Sequence, residues 1–230
     1  EQLAFTRERV EGYRKRGHAV ELLTIREARA IEPALSPALL GAMYSPLRSQ
    51  ADPRKATEAF ARLAVRAGAQ VLTERPVTAI APRRAGGYTV ATDAGDVAAR
   101  ALVLAAGAWC ATIGAMLGLG IPIVPVRGQM WSTAPAAPRV FHTISAAESP
   151  LAWHRDRGGA PPDLTHRDGR RVTRHLYGRQ RRTGEIIFGG DRELFADAAD
   201  APAPDPAGIA VNRGHAIEAL PFLAELPVAT

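Results

Sequence analysis

The 230-residue chain contains a single cysteine, Cys110. That excludes an internal disulfide and a cysteine-based metal cluster, and a reducing compartment fits best. Following Trp109 at the start of an expected helix, Cys110 reads as a buried structural thiol, not a nucleophile. Aromatic residues make up only 6% of the chain, and none are interleaved with the basic residues as a base-stacking platform. The net charge of +6 and the isoelectric point of about 10.2 therefore do not point to nucleic acid. The excess is mostly arginine, densest from Arg167 to Arg182, and reads as solvated surface. An anionic substrate or cofactor is the second reading. No apolar run is long enough to span a membrane and no secretory signal is expected at Glu1, so a cytoplasmic location is expected. His142, His154, His166 and His175 show no ligand spacing and read as surface or loop residues. A Gly-x-Gly-x-x-Gly motif occurs nowhere, and the two ends look cut from a longer protein.

What the chain does contain suits a packed core. Hydrophobic residues make up 47% and the mean hydropathy is −0.08, ordinary for one large domain or two small ones. The stretch from Ala101 to Trp109, Ala-Leu-Val-Leu-Ala-Ala-Gly-Ala-Trp, reads as a buried inner strand of a parallel sheet. It runs into a turn of small residues and then a helix over about 109–117. Ala105 to Ala108 leave room for a close backbone or ligand approach, and the helix start favours a phosphate or other anion.

Local signals set most other elements. A helix is expected from Leu3 to Arg16, stopped by Gly17, followed by a strand over Val20–Leu23. Thr24 and Glu27 have capping-box spacing, and Pro33 ends the helix they begin. Asp52-Pro53 opens a helix with Ala56, Ala59, Phe60, Leu63, Ala64 and Ala67 on one apolar stripe, closed by Gly68. Strands are expected over 70–73, 77–80 and 88–92, the last after the Gly86-Gly87 turn, and Val97 leads into the Ala101 strand. Ile121 to Trp131 reads as extended, because its prolines forbid a helix, and 135–168 as a long irregular loop. Strands at 175–179 and 185–188 follow, the second ended by Gly189-Gly190, and a last helix covers about 206–220.

Several stretches, in this order, resemble the FAD-dependent oxidoreductases of the D-amino-acid oxidase, glycine oxidase and sarcosine oxidase superfamily. They are Glu32-Pro33-Ala34-Leu35, Asp52-Pro53, Gly68-Ala69, Val77-Thr78-Ala79-Ile80 and Ala105-Ala106-Gly107-Ala108-Trp109. Leu117-Gly118-Leu119, Pro122, Pro125 to Met130 and Gly184 to Gly190 continue the set. Tyr177-Gly178-Arg179-Gln180 looks more like the bacterial amino-acid dehydrogenase branch, which includes glycine-oxidising, cyanide-forming enzymes. The resemblance implies an α/β plus α+β architecture, with a partial Rossmann-like FAD-binding domain, an inserted β-meander and an antiparallel-sheet substrate domain. Its expected segments are residues 1–51 (substrate domain), 52–118 (FAD-binding domain), 119–205 (substrate-domain sheet) and 206–230 (a helix and the start of a return to the FAD domain). The family's N-terminal phosphate loop and final glycine-rich segment have no counterpart here, so the chain resembles the middle of such an enzyme.

The resemblance also implies roles. Val77, Ala105, Ala106, Gly107 and Trp109 are the expected FAD-binding positions; Val77 reads at the same time as a core valine, and Trp109 reads first as a packing residue that fixes the helix. Tyr177 matches a tyrosine lining the substrate pocket, and is as readily a half-buried strand tyrosine. Arg179 and Arg192 suit a substrate carboxylate, and each is also readable as an exposed arginine. Gln129 faces either the active-site side or a polar strand position. No catalytic side chain and no metal is expected, because the flavin accepts hydride from the substrate carbon. The implied reaction is oxidation of glycine, sarcosine, proline or a D-amino acid to an imine and then an oxo acid. Oxygen or another carrier takes the electrons, and a dehydrogenase could sit peripherally at the inner membrane. Two alternatives stand beside it: a 2-hydroxy-acid-oxidising relative, and a catalytically silent piece or subunit that works beside a partner subunit. Cys110 is poorly placed for a covalent flavin link.

Overall fold

A computed structural model describes residues 1–148, 165–167, 170–173, 175–194 and 203–230, with backbone alone for 165–167, 170–173, 193 and 194. The expected fold holds as α/β with antiparallel sheets: every strand pairing among the described residues is antiparallel. The chain divides into two compact units. One comprises the described residues within Glu1–Arg48, Val126–Leu194 and Ala201–Thr230, and the described part of the other is Ser49–Pro125. The last helix groups with the first unit.

In the first unit, α1 (Gln2–Lys15) buries Phe5 and Val10 and ends before Gly17, whose φ of 80° suits a residue without Cβ. A two-stranded sheet, β1 (Glu21–Thr24) with β2 (Gly41–Tyr44), flanks α2 (Ile25–Ile31). The capping box forms: the Glu27 N–H donates to Thr24 Oγ1 at 3.3 Å, and the Thr24 N–H donates to Glu27 Oε2 at 2.8 Å. Pro33 then lacks the N–H that a further turn would need.

The core lies between a six-stranded sheet and a helix. Three strands of the second unit precede this sheet in the chain: β3 (Val77–Pro82), β4 (Tyr88–Thr92) and β5 (Val97–Ala99). The sheet contains β6 (Val126–Ser132), β7 (Ile144–Ser145), β8 (Thr165–Arg167), β9 (Arg170–Thr173), β10 (Tyr177–Gln180) and β11 (Ile186–Leu194). So the stretch 135–168, expected as irregular, contains β7 and β8. β11 is the axis: one edge pairs with β6, and the other with β10 and then β9. The expected strand end at Gly189-Gly190 is not observed. The strand continues to Leu194 through a one-residue register shift, for Gly189 pairs with Met130 but Arg192 with Gly128. Two adjacent glycines here make a bulge, not a stop.

The last helix, α5 (Pro206–Ala219), is capped by Asp205, whose carboxylate accepts from the N–H groups of Ala207 and Gly208. It packs on this sheet over Trp131, Ile186, Phe188, Ala216, Leu220 and Leu223, each at most 2% exposed. The buried leucine, isoleucine and phenylalanine side chains contribute roughly 1.5–3 kcal/mol each.

In the second unit, the N-cap at Asp52 forms, its carboxylate accepting from the Lys55 N–H at 3.1 Å. Helix α3 (Pro53–Arg66) begins there. β3, β4 and β5 form the expected meander. Three expectations are corrected. Residues 70–73 are not a strand. The stretch 101–106 forms neither strand nor helix, and Val103 stays 83% exposed. A strand exists only where neighbours accept its hydrogen bonds, and no described residue pairs with this stretch. Finally, the expected helix over 109–117 is a 3-10 turn, Gly107–Trp109, followed by a six-residue α4, Cys110–Ala115. The stripe on α3 is likewise uncovered, with Phe60 72% and Leu63 55% exposed.

Candidate functional site

Strand pairing decides which side chains share a face, because directly opposed residues of an antiparallel pair point the same way. Tyr177 stands opposite Gly189 and Arg179 opposite Ile187, while Met130 also stands opposite Gly189. These residues therefore lie on the face away from α5, while Trp131 and Phe188 are paired on the buried face. In a regular strand Arg192 would follow Ile186 and Phe188 into the core. The extra residue reverses the alternation beyond Gly189, so Arg192, paired with Gly128, joins Tyr177, Arg179 and Met130. Gly128 and Gly189 leave a strip without side chains between them. Their neighbours Tyr177 and Met130 stay about two-fifths exposed, at 41% and 42%. The structure thus brings three expected substrate residues, Tyr177, Arg179 and Arg192, to one face with a floor of glycine.

Gln129 is not with them. It alternates with Met130 and Gly128 and faces α5, where its Oε1 accepts from the Asp205 N–H at 2.6 Å. Of the two expected placements, the one on the active-site side is corrected: Gln129 anchors the start of α5.

Beneath this face lies a polar cluster that sequence reasoning missed. Asp191, turned toward α5 by the bulge, accepts at Oδ1 from the His175 N–H at 2.8 Å. Its Oδ2 is 3.3 Å from His215 Nδ1, within ion-pair distance but outside hydrogen-bond geometry. His215 is 3% exposed. Asn212, at 1%, accepts from the Trp131 indole N–H at 2.9 Å and donates to the His175 carbonyl at 3.2 Å. The His175 ring lies 5.4 Å from that of Tyr177, and its Nδ1 is buried without a hydrogen-bond partner. Burial, and then the Arg192 charge, push its pKa down to about 4, so the ring is neutral at pH 7. His175, expected as a surface or loop residue, lies just before β10 and is partly buried, with its Nδ1 enclosed. The available signal was Gly189-Gly190-Asp191, a glycine pair and an acid inside a strand pattern, which marks a bulge.

His142 is also not simply a loop residue. The buried carboxylate of Glu32 accepts from the backbone N–H groups of Phe141 and His142 at 2.8 and 3.0 Å, and its Oε2 is 3.0 Å from His142 Nδ1. This clamp ties the end of α2 to the segment before β7. His154, and the side chain of His166, lie outside the described residues. A shallow 420 Å³ depression beside α2, lined by Ile25, Arg26, Arg29, Ala30 and Pro37, holds none of the expected site residues. Among the described residues no cluster could hold a metal ion, and no helix is long and apolar enough to cross a membrane.

The second unit carries the other expected group. Val77 begins β3 opposite Thr92. Gly107 has a φ of 56°, and no atom lies within 4 Å of where a Cβ would stand. With Ala105 and Ala106 before it, the turn presents open backbone, which fits close approach by an extended ligand such as FAD. Trp109 is 52% exposed, so among the described residues it is a surface aromatic, not the packing residue also considered. Cys110 is buried, and its thiol points to the Leu104 carbonyl at 3.8 Å.

Residues 1–229 match the family described as FAD dependent oxidoreductase. Rat (Rattus norvegicus) mitochondrial dimethylglycine dehydrogenase is 33% identical over 176 residues, which cover 73% of this chain and 20% of that protein. Glycine oxidase of Geobacillus kaustophilus is 36% identical over 131 residues, covering 56% of this chain and 34% of that protein. The solved structure of L-proline dehydrogenase from P. horikoshii superposes with a TM-score of 0.75 at 26% identity, covering all of this chain and 55% of that one. The chain thus spans from about a fifth to just over half the length of these proteins.

Proposed function

Because this chain belongs to the family of FAD-dependent oxidoreductases, we propose that it supplies the substrate-binding face of an enzyme oxidising an amino acid or secondary amine. The substrate class is a small amine carrying a carboxylate, of glycine, sarcosine, proline or D-amino-acid type. The observation that carries the reading is the glycine-floored face on which the register shift assembles Tyr177, Arg179 and Arg192.

On this reading Arg192 and Arg179 pair with the carboxylate, a geometry the planar guanidinium suits, and the Tyr177 hydroxyl closes one side. The two fixed positive charges disfavour protonation of the nearby amine, so the amine keeps the lone pair it needs. His175, neutral at pH 7 because of its burial and of Arg192, adds no charge. Bound FAD would supply the hydride acceptor for the carbon next to nitrogen. Val77, Ala105, Ala106, Gly107 and Trp109 are the positions that would hold it. Water then hydrolyses the imine to an oxo acid and ammonia or an amine, and oxygen or another carrier takes up the electrons. A cytoplasmic location goes with this reading.

The uncovered apolar side of α3 favours a second reading, in which the chain works only beside further polypeptide such as a partner subunit. One experiment separates the readings. The protein is incubated with FAD, freed of excess and titrated anaerobically with glycine, sarcosine, proline and a D-amino acid. A retained flavin band that bleaches, with release of ammonia or an amine, is the expected result. Bleaching by a 2-hydroxy acid alone overturns the amine reading, and failure to retain flavin supports the second one.

A further inference from the structure

We propose that the Gly190 bulge, locked from beneath by Asp191, is a positioning device: it decides on which face Arg192 stands and so governs affinity for the substrate carboxylate. The inference rests on the reading that Arg192 meets that carboxylate.

Three observations converge on it. First, the register shift reverses side-chain alternation between Gly189 and Arg192. Without it, Arg192 would point into the core beside Phe188, and Asp191 would stand on the open face. Second, Gly190 has a φ of 119°, and a Cβ there would lie 2.7 Å from both His175 Cδ2 and Tyr177 Cδ1. The bulge is therefore packed against the residue that lines the site. Third, Asp191 bonds one element and lies against a second. Oδ1 holds the His175 N–H at 2.8 Å, two residues before Tyr177, and Oδ2 faces His215 of α5 at 3.3 Å. Asn212 of α5 also donates to the His175 carbonyl at 3.2 Å, so both polar groups of the His175 backbone are held. Asp191 and His215 touch no substrate on this account; both are positioning residues.

The test uses acetate as a carboxylate probe, its dissociation constant read from the acetate methyl resonance with the FAD-supplied full chain, alongside thermal melting. Arg192→Ala is expected to weaken acetate binding at least tenfold. Asp191→Ala is expected to weaken it about tenfold with Arg192 still present, and Asp191→Asn, which keeps the Oδ1 acceptor, about threefold. The double variant Asp191→Ala/Arg192→Ala should bind no more weakly than Arg192→Ala, because the lock acts only through that arginine. Deletion of Gly190, which restores regular alternation, should match Arg192→Ala. The sign discriminates: a carboxylate that merely offset the charge of Arg192 would, once removed, tighten acetate binding. Tighter or unchanged binding in both Asp191 variants, or additive losses in the double variant, overturns the proposal. If Arg192→Ala itself leaves acetate binding unchanged, the carboxylate reading fails first, and the lock fails with it.

Discussion

Replacing Asn212 by alanine should expose how strongly α5 is tied to the sheet. Asn212 is 1% exposed and Trp131 2%, so water cannot replace what the amide provides. Its Oδ1 is the acceptor for the Trp131 indole N–H at 2.9 Å, and its Nδ2 reaches the His175 carbonyl at 3.2 Å. The variant strands a buried donor, which costs about 1–3 kcal/mol. It also removes one of the bonds available to a carbonyl, about 0.5–1.5 kcal/mol more. A total of about 1.5–4.5 kcal/mol corresponds to a fall in melting temperature of about 3–18 °C for a body of this size. The assay is thermal melting followed by tryptophan emission, which should shift to the red as the Trp131 site loosens. A companion variant carrying Asn212→Leu and Trp131→Phe removes the indole donor and its acceptor together and should recover part of the loss, because only the His175 carbonyl then lacks its former partner. A fall of less than 2 °C for Asn212→Ala, or no recovery in the companion, would refute the assignment of this bond as a structural tie.

The depressed pKa of His175, about 4 against an ordinary 6.5, makes stability depend on pH. Between those values the unfolded chain binds a proton that the folded chain refuses. Stability from this residue is therefore complete above about pH 6.5, is lost as pH falls toward 4 and is flat below. Solvent screening of a half-exposed ring limits the effect to about 1–2 kcal/mol, and His175→Gln should flatten the melting profile in that window. Gly178→Ala should lower stability by roughly 3 kcal/mol, because its Cβ would strike the Ile187 carbonyl and the Phe188 ring. Melting that variant within 1–2 °C of the parent would contradict the register of β10 on β11.

What the sequence determined by itself was chemistry that closes within a few residues. Thr24 with Glu27 and Asp52 before Pro53 cap their helices through bonds spanning three positions, and Gly17 needs only its own φ. The meander at 77–99 was legible for the same reason, with a turn glycine pair between short strands. The ordered set of motifs also placed the chain in its family, and Tyr177, Arg179 and Arg192 were named as substrate residues. What only the tertiary structure decided was the direction in which those residues face. Gln129 and Met130 are adjacent and could exchange faces; the pairing of β6 with β11 sets Gln129 against α5. The same holds for Gly189-Gly190, which reads locally as a terminator but is held in the strand by partners on both edges. The stretch 101–106 shows the converse: its apolar run has the composition of an inner strand, yet a strand needs a neighbour to bond. Asp191 and His215 lie 24 positions apart with no periodic relation, and they meet because one extra residue turns the acid toward the helix. Side-chain parity is a property of a paired strand, and a pairing is not written in either strand alone.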